Sequence, residues 1–220
     1  MTPPRLLAPS LLAADAANLE RDVRLALEGG ADWLHFDVMD GRFVPNLSFG
    51  PHICKRMREL FSLPLDVHLM VTRPENLVVP FIESGASLLT VHAESDGDLS
   101  RVLLAVKQNG AKAGMALKPA THPDTLRPYL PLLDLVLVMT VEPGYGGQKF
   151  LSGALRRVAA VRAMLDAEKP GCLLEADGGI DAVTAGGCVE AGADIVVAGS
   201  SVFSSGLVSD NVKVLRALLR

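Results

Sequence analysis

The sequence predicts an α/β protein built as one (β/α)8 barrel domain over residues 1–220. Three observations predict it: eight apolar runs of strand length, helical spacing between them, and polar residues gathered at strand ends that only a closed sheet brings together. The chain has 220 residues, 49% hydrophobic and 21% charged, a length that α/β barrels use as a single domain.

In order, the predicted strands are Leu6 to Leu12, Trp33 to Met39, Leu65 to Val71, Leu88 to Val91, Ala113 to Leu117, Leu135 to Val141, Cys172 to Ala176 and Ile195 to Ala198. Between them, Leu19, Val23 and Leu27, then Val102, Leu103 and Val106, then Leu155, Val158, Val161 and Leu165 recur at helical spacing. Gly30, Gly85, Gly110 and Gly192, each followed by Ala, stand between a helical stretch and the next strand, where glycine ends a helix without a Cβ penalty. Alternation alone also fits a doubly wound open sheet. The polar residues decide for closure, because Ser10, His35, Asp37, His68, Asp177 and Gly199–Ser200 come from the first, second, third, seventh and eighth strands.

Composition narrows the function. The net charge is −4 and no Lys/Arg run interleaves with aromatics, which excludes nucleic acid and anionic membrane partners and leaves small solutes. No apolar run approaches the roughly 18 residues of a membrane span. Cys54, Cys172 and Cys188 form no Cys-x-x-Cys pair, so neither a disulfide scaffold nor a thiolate zinc knuckle is expected, and a reducing cytoplasm fits. Arg5 to Ala14 mimics a short signal peptide, but Pro9 and Ser10 interrupt it and Asp15 stands where a small residue is needed.

Period two places His35, Asp37 and Met39 on one face of the second strand, and His68 with Met70 on one face of the third. Asp177 brings another carboxylate from the seventh. Each residue taken alone reads as an ordinary core histidine or capping aspartate. Burying two imidazoles and two carboxylates together is costly unless a cation or hydrogen bonds compensate. That donor set suits one divalent ion of the Zn, Fe, Co or Mn type, and no organic cofactor is implied. Asp66 shares the parity of His68 but starts its strand and reads as structural, while His92 and Glu94 read either as lining the site or as surface residues.

Three glycine-rich loops follow the last three strands: Gly144, Tyr145, Gly146 and Gly147, then Gly178 and Gly179, then Gly199 and Ser200. Glycines let backbone N–H groups approach an anion, and phosphate sites of such barrels lie after strands seven and eight. Lys149 reads as a solvated surface lysine. Met39, Met70 and Met139 each end a strand, as core filler or as an apolar layer beside a substrate.

With these residues in hand, the chain resembles the ribulose-phosphate 3-epimerase family from Leu7 to Phe203. The likeness is carried by 8–15 (APSLLAAD), 35–46 (HFDVMDGRFVPN), 66–71 (DVHLMV), 139–150 (MTVEPGYGGQKF), 177–179 (DGG) and 198–200 (AGS). Ala13 and Tyr145 stand where the family often has Ser and Phe, and neither change removes a ligand. The resemblance implies a cytoplasmic, homo-oligomeric TIM barrel of the ribulose-phosphate-binding type. It also implies an isomerase interconverting D-ribulose 5-phosphate and D-xylulose 5-phosphate, with a divalent metal held by His35, Asp37, His68 and Asp177. Asp37 and Asp177 would serve as acid/base groups, Ser10 and His68 would contact the sugar, and Gly146, Gly147, Gly179, Gly199 and Ser200 would contact the phosphate.

An epimerase for another ketose phosphate, such as D-allulose 6-phosphate, is the nearest alternative. A lyase of the related decarboxylase and hexulose-phosphate synthase group needs Asp-x-Lys-x-x-Asp, and here Met39 stands in place of the lysine. A non-catalytic phosphate-binding barrel would be expected to lose a carboxylate, and both are present.

Overall fold

A computed structural model describes residues 5–204 and 206–219; the remaining residues of the predicted 1–220 domain lie outside the described ones. Eight parallel strands form one sheet in the order β1-β8-β7-β6-β5-β4-β3-β2. They are β1 (Leu6–Pro9), β2 (Leu34–Met39), β3 (Leu65–Met70), β4 (Leu88–His92), β5 (Lys112–Leu117), β6 (Leu135–Met139), β7 (Leu173–Asp177) and β8 (Ile195–Ala198). The two edges, β1 and β2, meet at a parallel bridge between Ser10 and His35, supported below by the Asp32 and Trp33 N–H groups on the Leu7 carbonyl. Nearly closed in this way, the sheet is a TIM barrel, as the converging polar strand ends predict.

The helices are α1 (Leu19–Gly29), α2 (Pro51–Leu60), α3 (Val78–Glu83), α4 (Leu99–Gln108), α5 (Ala154–Glu168), α6 (Ala185–Glu190), α7 (Ser200–Phe203) and α8 (Val208–Leu218). Gly30 ends α1 with φ +98°, its N–H reaching the carbonyls of Ala26 and Leu27, and Gly85, Gly110 and Gly192 also take positive φ after α3, α4 and α6. The expected apolar faces are buried, except that Leu27 of α1 is only partly so and Leu155 at the start of α5 is exposed. The repeat departs from βα in one place. Between β5 and β6 the chain makes only 3-10 turns, Pro123–Leu126 and Leu130–Leu132, because Pro119, Pro123, Pro128 and Pro131 remove the amide hydrogens an α-helix needs.

Every strand except β5 at Lys112 is buried or nearly so along its length, and the two faces do different work. Leu34, Phe36 and Val38 of β2, with Val67 and Leu69 of β3, pack outward in the large core shared with the helices. The inward residues are apolar on β1, β6 and β8, where Ala8, Leu135, Leu137, Ile195 and Val197 fill the interior. On β2, β3, β4 and β7 they include polar groups: His35, Asp37, Asp66, His68, Thr90, His92, Glu175 and Asp177 are all buried. No helix among the described residues is long and apolar enough to cross a membrane. The three cysteines are free and buried.

Candidate active site

The polar interior is organised by strand register. On β2 and β3 the cross-strand pairs are His35 with Asp66, Asp37 with His68, and Met39 with Met70. On β6 and β7, Met139 pairs with Asp177. Met39 and Met70 thus stand one inward position above Asp37 and His68, while Met139 stands beside Asp177. His35, Asp37, His68 and Asp177 each offer a ligand atom, and these atoms all lie within 4.8 Å of one another.

His35 is completely buried. Its Nδ1 is 2.5 Å from Asp66 Oδ2, while its Nε2 has no hydrogen-bond partner and faces Asp37 Oδ1 at 3.5 Å and Asp177 Oδ2 at 4.0 Å. Burial disfavours the imidazolium, but Asp66 and Asp37 outweigh it and raise the His35 pKa well above the usual value. Asp37 accepts from Ser10 Oγ at 2.5 Å and lies 3.2 Å from His68 Nδ1. Burial pushes its carboxyl up, yet the charge of the adjoining His35 imidazole holds it well below the ordinary range. Asp177 moves the other way: burial first, then the charge of Asp37, lifts it to about 6. The two carboxyls of one site are thus displaced in opposite directions, Asp37 down and Asp177 up, which is the asymmetry that acid and base work divides along.

Beneath them lies Glu175, fully buried, with both oxygens unpartnered and one 3.8 Å from His35 Nδ1. Burial and then the neighbouring Asp66 raise its pKa well above the usual value. Sequence reasoning passed over this residue, although it shares the inward parity of Asp177.

Above the carboxyls opens a small pocket. Ser10, Asp37, Asp177 and all three methionines line it, as do Gly144, Tyr145, Gly146, Gly147, Gly178, Gly179, Gly199 and Ser200. His35 and His68 do not reach it and sit below, behind the aspartates. Met39 and Met70 also pack with Val44, so both alternatives for these methionines coexist: they are core and pocket wall at once. Among the described residues no Lys or Arg lines the pocket, and Lys149 is exposed outside it.

The glycines differ in what requires them. At Gly179, with φ +64°, a Cβ would sit 2.6 Å from the Phe150 backbone nitrogen, so the fold itself demands glycine there. At Gly146 φ is not positive and a Cβ would meet nothing within 4 Å. The fold has no use for glycine at Gly146, which leaves its backbone open to an incoming group.

His92 and Glu94 occupy neither of the places open to them in the sequence. His92 is fully buried behind His68, its Nε2 2.9 Å from His68 Nε2 and its Nδ1 3.0 Å from Glu94 Oε2, and neither residue lines the pocket. Asp66, read as structural, directly contacts His35.

Comparison with known proteins agrees in both sequence and fold. The profile of the ribulose-phosphate 3 epimerase family matches residues 6–203. A ribulose-phosphate 3-epimerase of Bacillus subtilis (strain 168) is 44% identical over 209 residues, covering 94% of this chain and 95% of its own. A chloroplastic ribulose-5-phosphate-3-epimerase of Arabidopsis thaliana is 40% identical over 217 residues, covering 98% and 77%. Among solved structures, a 3-hexulose-6-phosphate synthase from Salmonella typhimurium superposes with a TM-score of 0.73 at 15% identity over 97% of this chain and 98% of that one, a likeness of fold alone. A barrel with paired carboxyls at its mouth, matched along nearly its whole length by these enzymes, belongs to the ribulose-phosphate 3-epimerase family.

Proposed function

We propose that the protein interconverts D-ribulose 5-phosphate and D-xylulose 5-phosphate by moving a proton at C3 between two carboxyl groups. The observation that carries this reading is the pair Asp37 and Asp177, which rise from β2 and β7 into one pocket with their pKa values displaced in opposite directions. Inverting a carbon beside a carbonyl requires removing a proton from one face and returning one to the other. In one direction Asp37 accepts the C3 proton and Asp177, raised toward the range in which a carboxyl carries a proton, delivers one to the opposite face, leaving an enediolate between the two events. The reverse reaction exchanges their roles.

The residues fit a divalent cation of the Zn, Fe, Co or Mn class. The fully buried Nε2 of His35 has no partner and points at two carboxylates, a placement that a cation would satisfy. His35, Asp37, His68 and Asp177 would hold it. When bound, it supplies Lewis-acid stabilisation of the negative charge that develops on the sugar oxygens. Asp66 fixes the ring of His35 through Nδ1. Ser10 Oγ donates to Asp37 and lies on the pocket wall, placed to contact the sugar.

The phosphate is assigned to the backbone of Gly146, Gly147, Gly179, Gly199 and Ser200, with Gly144, Tyr145 and Gly178 completing that side of the pocket. Backbone N–H groups serve as anion donors there, since no cationic side chain does. Met39, Met70 and Met139 limit water beside the reacting carbon.

The test is D-ribulose 5-phosphate in deuterated water with zinc-loaded protein, followed by NMR, with a metal-stripped control. Deuterium at C3 together with xylulose product, both lost on stripping, is the expected result. Turnover of D-allulose 6-phosphate in its place would overturn the substrate assignment, and full activity after stripping would overturn the metal.

A further inference from the structure

Behind His68, on the side away from the pocket, runs a chain from His68 through the buried His92 to the part-buried Glu94. His68 Nε2 is 2.9 Å from His92 Nε2, and His92 Nδ1 is 3.0 Å from Glu94 Oε2. Two imidazole nitrogens at that distance share one hydrogen, so one ring donates and the other accepts. The far end of the chain decides which. Glu94 Oε1 accepts from the Lys118 backbone N–H at 2.9 Å and from Thr121 Oγ1. A backbone N–H can only donate, so the Glu94 carboxylate is held as an acceptor, and its second oxygen accepts from His92 Nδ1. Neutral His92 then has only a lone pair at Nε2, and the bridging hydrogen belongs to His68 Nε2. This leaves a lone pair at His68 Nδ1, directed at Asp37 Oδ1 at 3.2 Å and Asp177 Oδ2 at 3.8 Å.

We propose that His92 and Glu94 are positioning residues that set the tautomer of His68, so that Nδ1 presents a lone pair to a divalent cation between Asp37 and Asp177. The inference rests on the metal reading above. A lone pair aimed at two carboxylates is repulsive until a cation stands between them, so the chain prepares the ligand before the ion arrives. His35 is prepared from the other side of the barrel interior by Asp66. The device is sealed: the Phe43 ring packs 4.8 Å from that of His92, and Lys118 Nζ lies 3.8 Å from the Phe43 ring centre. Lys118 thus contributes both its N–H to Glu94 and its ammonium to the cover over His92.

Glu94→Gln tests this directly, because it is isosteric and reverses the chain. The oxygen held by Lys118 and Thr121 remains a carbonyl, while an amide donor replaces the oxygen that faces His92. His92 must then accept at Nδ1 and donate at Nε2, which puts the hydrogen of His68 on Nδ1. Long-range 1H–15N NMR of zinc-free, histidine-labelled protein reads the tautomers, and competition with a chromogenic chelator reads zinc affinity. The expected result is N–H at Nε2 of His68 in the wild type, N–H at Nδ1 in Glu94→Gln, and zinc affinity about 10- to 100-fold weaker in the variant. Thr121→Val, which loosens Glu94 without reversing it, should leave the wild-type tautomer in place. A wild-type His68 protonated at Nδ1, or a Glu94→Gln protein with unchanged tautomer and zinc affinity, overturns the proposal. A wild type that binds no zinc overturns the metal reading instead, and the tautomer pattern still decides the chain.

Discussion

Asp66 stands directly across the β2–β3 register from His35, and its Oδ2 lies 2.5 Å from His35 Nδ1. One strand pairing therefore supplies both a candidate ligand and the carboxylate that orients it. Asp66→Ala is expected to weaken zinc affinity about 10- to 100-fold, the usual cost of losing such a partner. Chelator competition measures it, and wild-type affinity in the variant would remove Asp66 from the site.

Asp37→Asn and Asp177→Asn should each lower kcat at least about a hundredfold in both directions, at saturating zinc. The finer signature is isotopic. With one carboxyl left, each variant should still exchange the C3 hydrogen of one epimer with deuterated water, and the two variants should differ in which epimer exchanges. Loss of exchange with both epimers in one variant and with neither in the other would argue for a single base.

Gly146→Ala and Gly179→Ala separate a ligand's needs from the fold's. A methyl at Gly146 meets open space, so melting should stay within about 0.5 kcal/mol of wild type, while KM rises as the phosphate is pushed from the backbone. A methyl at Gly179 meets the Phe150 backbone at positive φ, which should cost about 2–4 kcal/mol. Urea melts with steady-state kinetics check both, and an unchanged KM in Gly146→Ala would place the phosphate elsewhere.

Burial pushes the Cys54 and Cys188 thiols up to about 12 and that of Cys172 to about 11. Thiolate is the reactive form, so at pH 8 the native protein should be inert to Ellman's reagent and should react fully only in guanidinium. Rapid labelling of the native protein would show that at least one of these elements opens readily.

The barrel was legible because its polar residues break the apolar pattern where they converge: His35, Asp37 and His68 are costly on inner strand faces unless they serve each other. The depth of the network was less legible. The predicted fourth strand stops at Val91, one residue short of His92, so the inward parity that His92 shares with Leu88 and Thr90 went unused. Glu175 shares the parity of Asp177, but a buried carboxyl held neutral leaves no mark in composition or spacing. The missing helix after β5 is a failure of another kind. Four prolines in that segment announce it, and an eightfold repeat invites the reader past them.

The junction of β1 and β2 differs from the other seven, which carry registered ladders of three to six pairs. Here the edges meet at Ser10 and His35, and Ser10 reaches across to Asp37. Hydrogen-bonded structure opens first where its ladder is thinnest, so the breathing of this cylinder begins at the floor of its own pocket. Whatever holds Asp37 of β2 to Asp177 of β7 therefore spans this seam and rivets the rolled sheet shut, and occupancy of the site becomes a mechanical property of the whole wall.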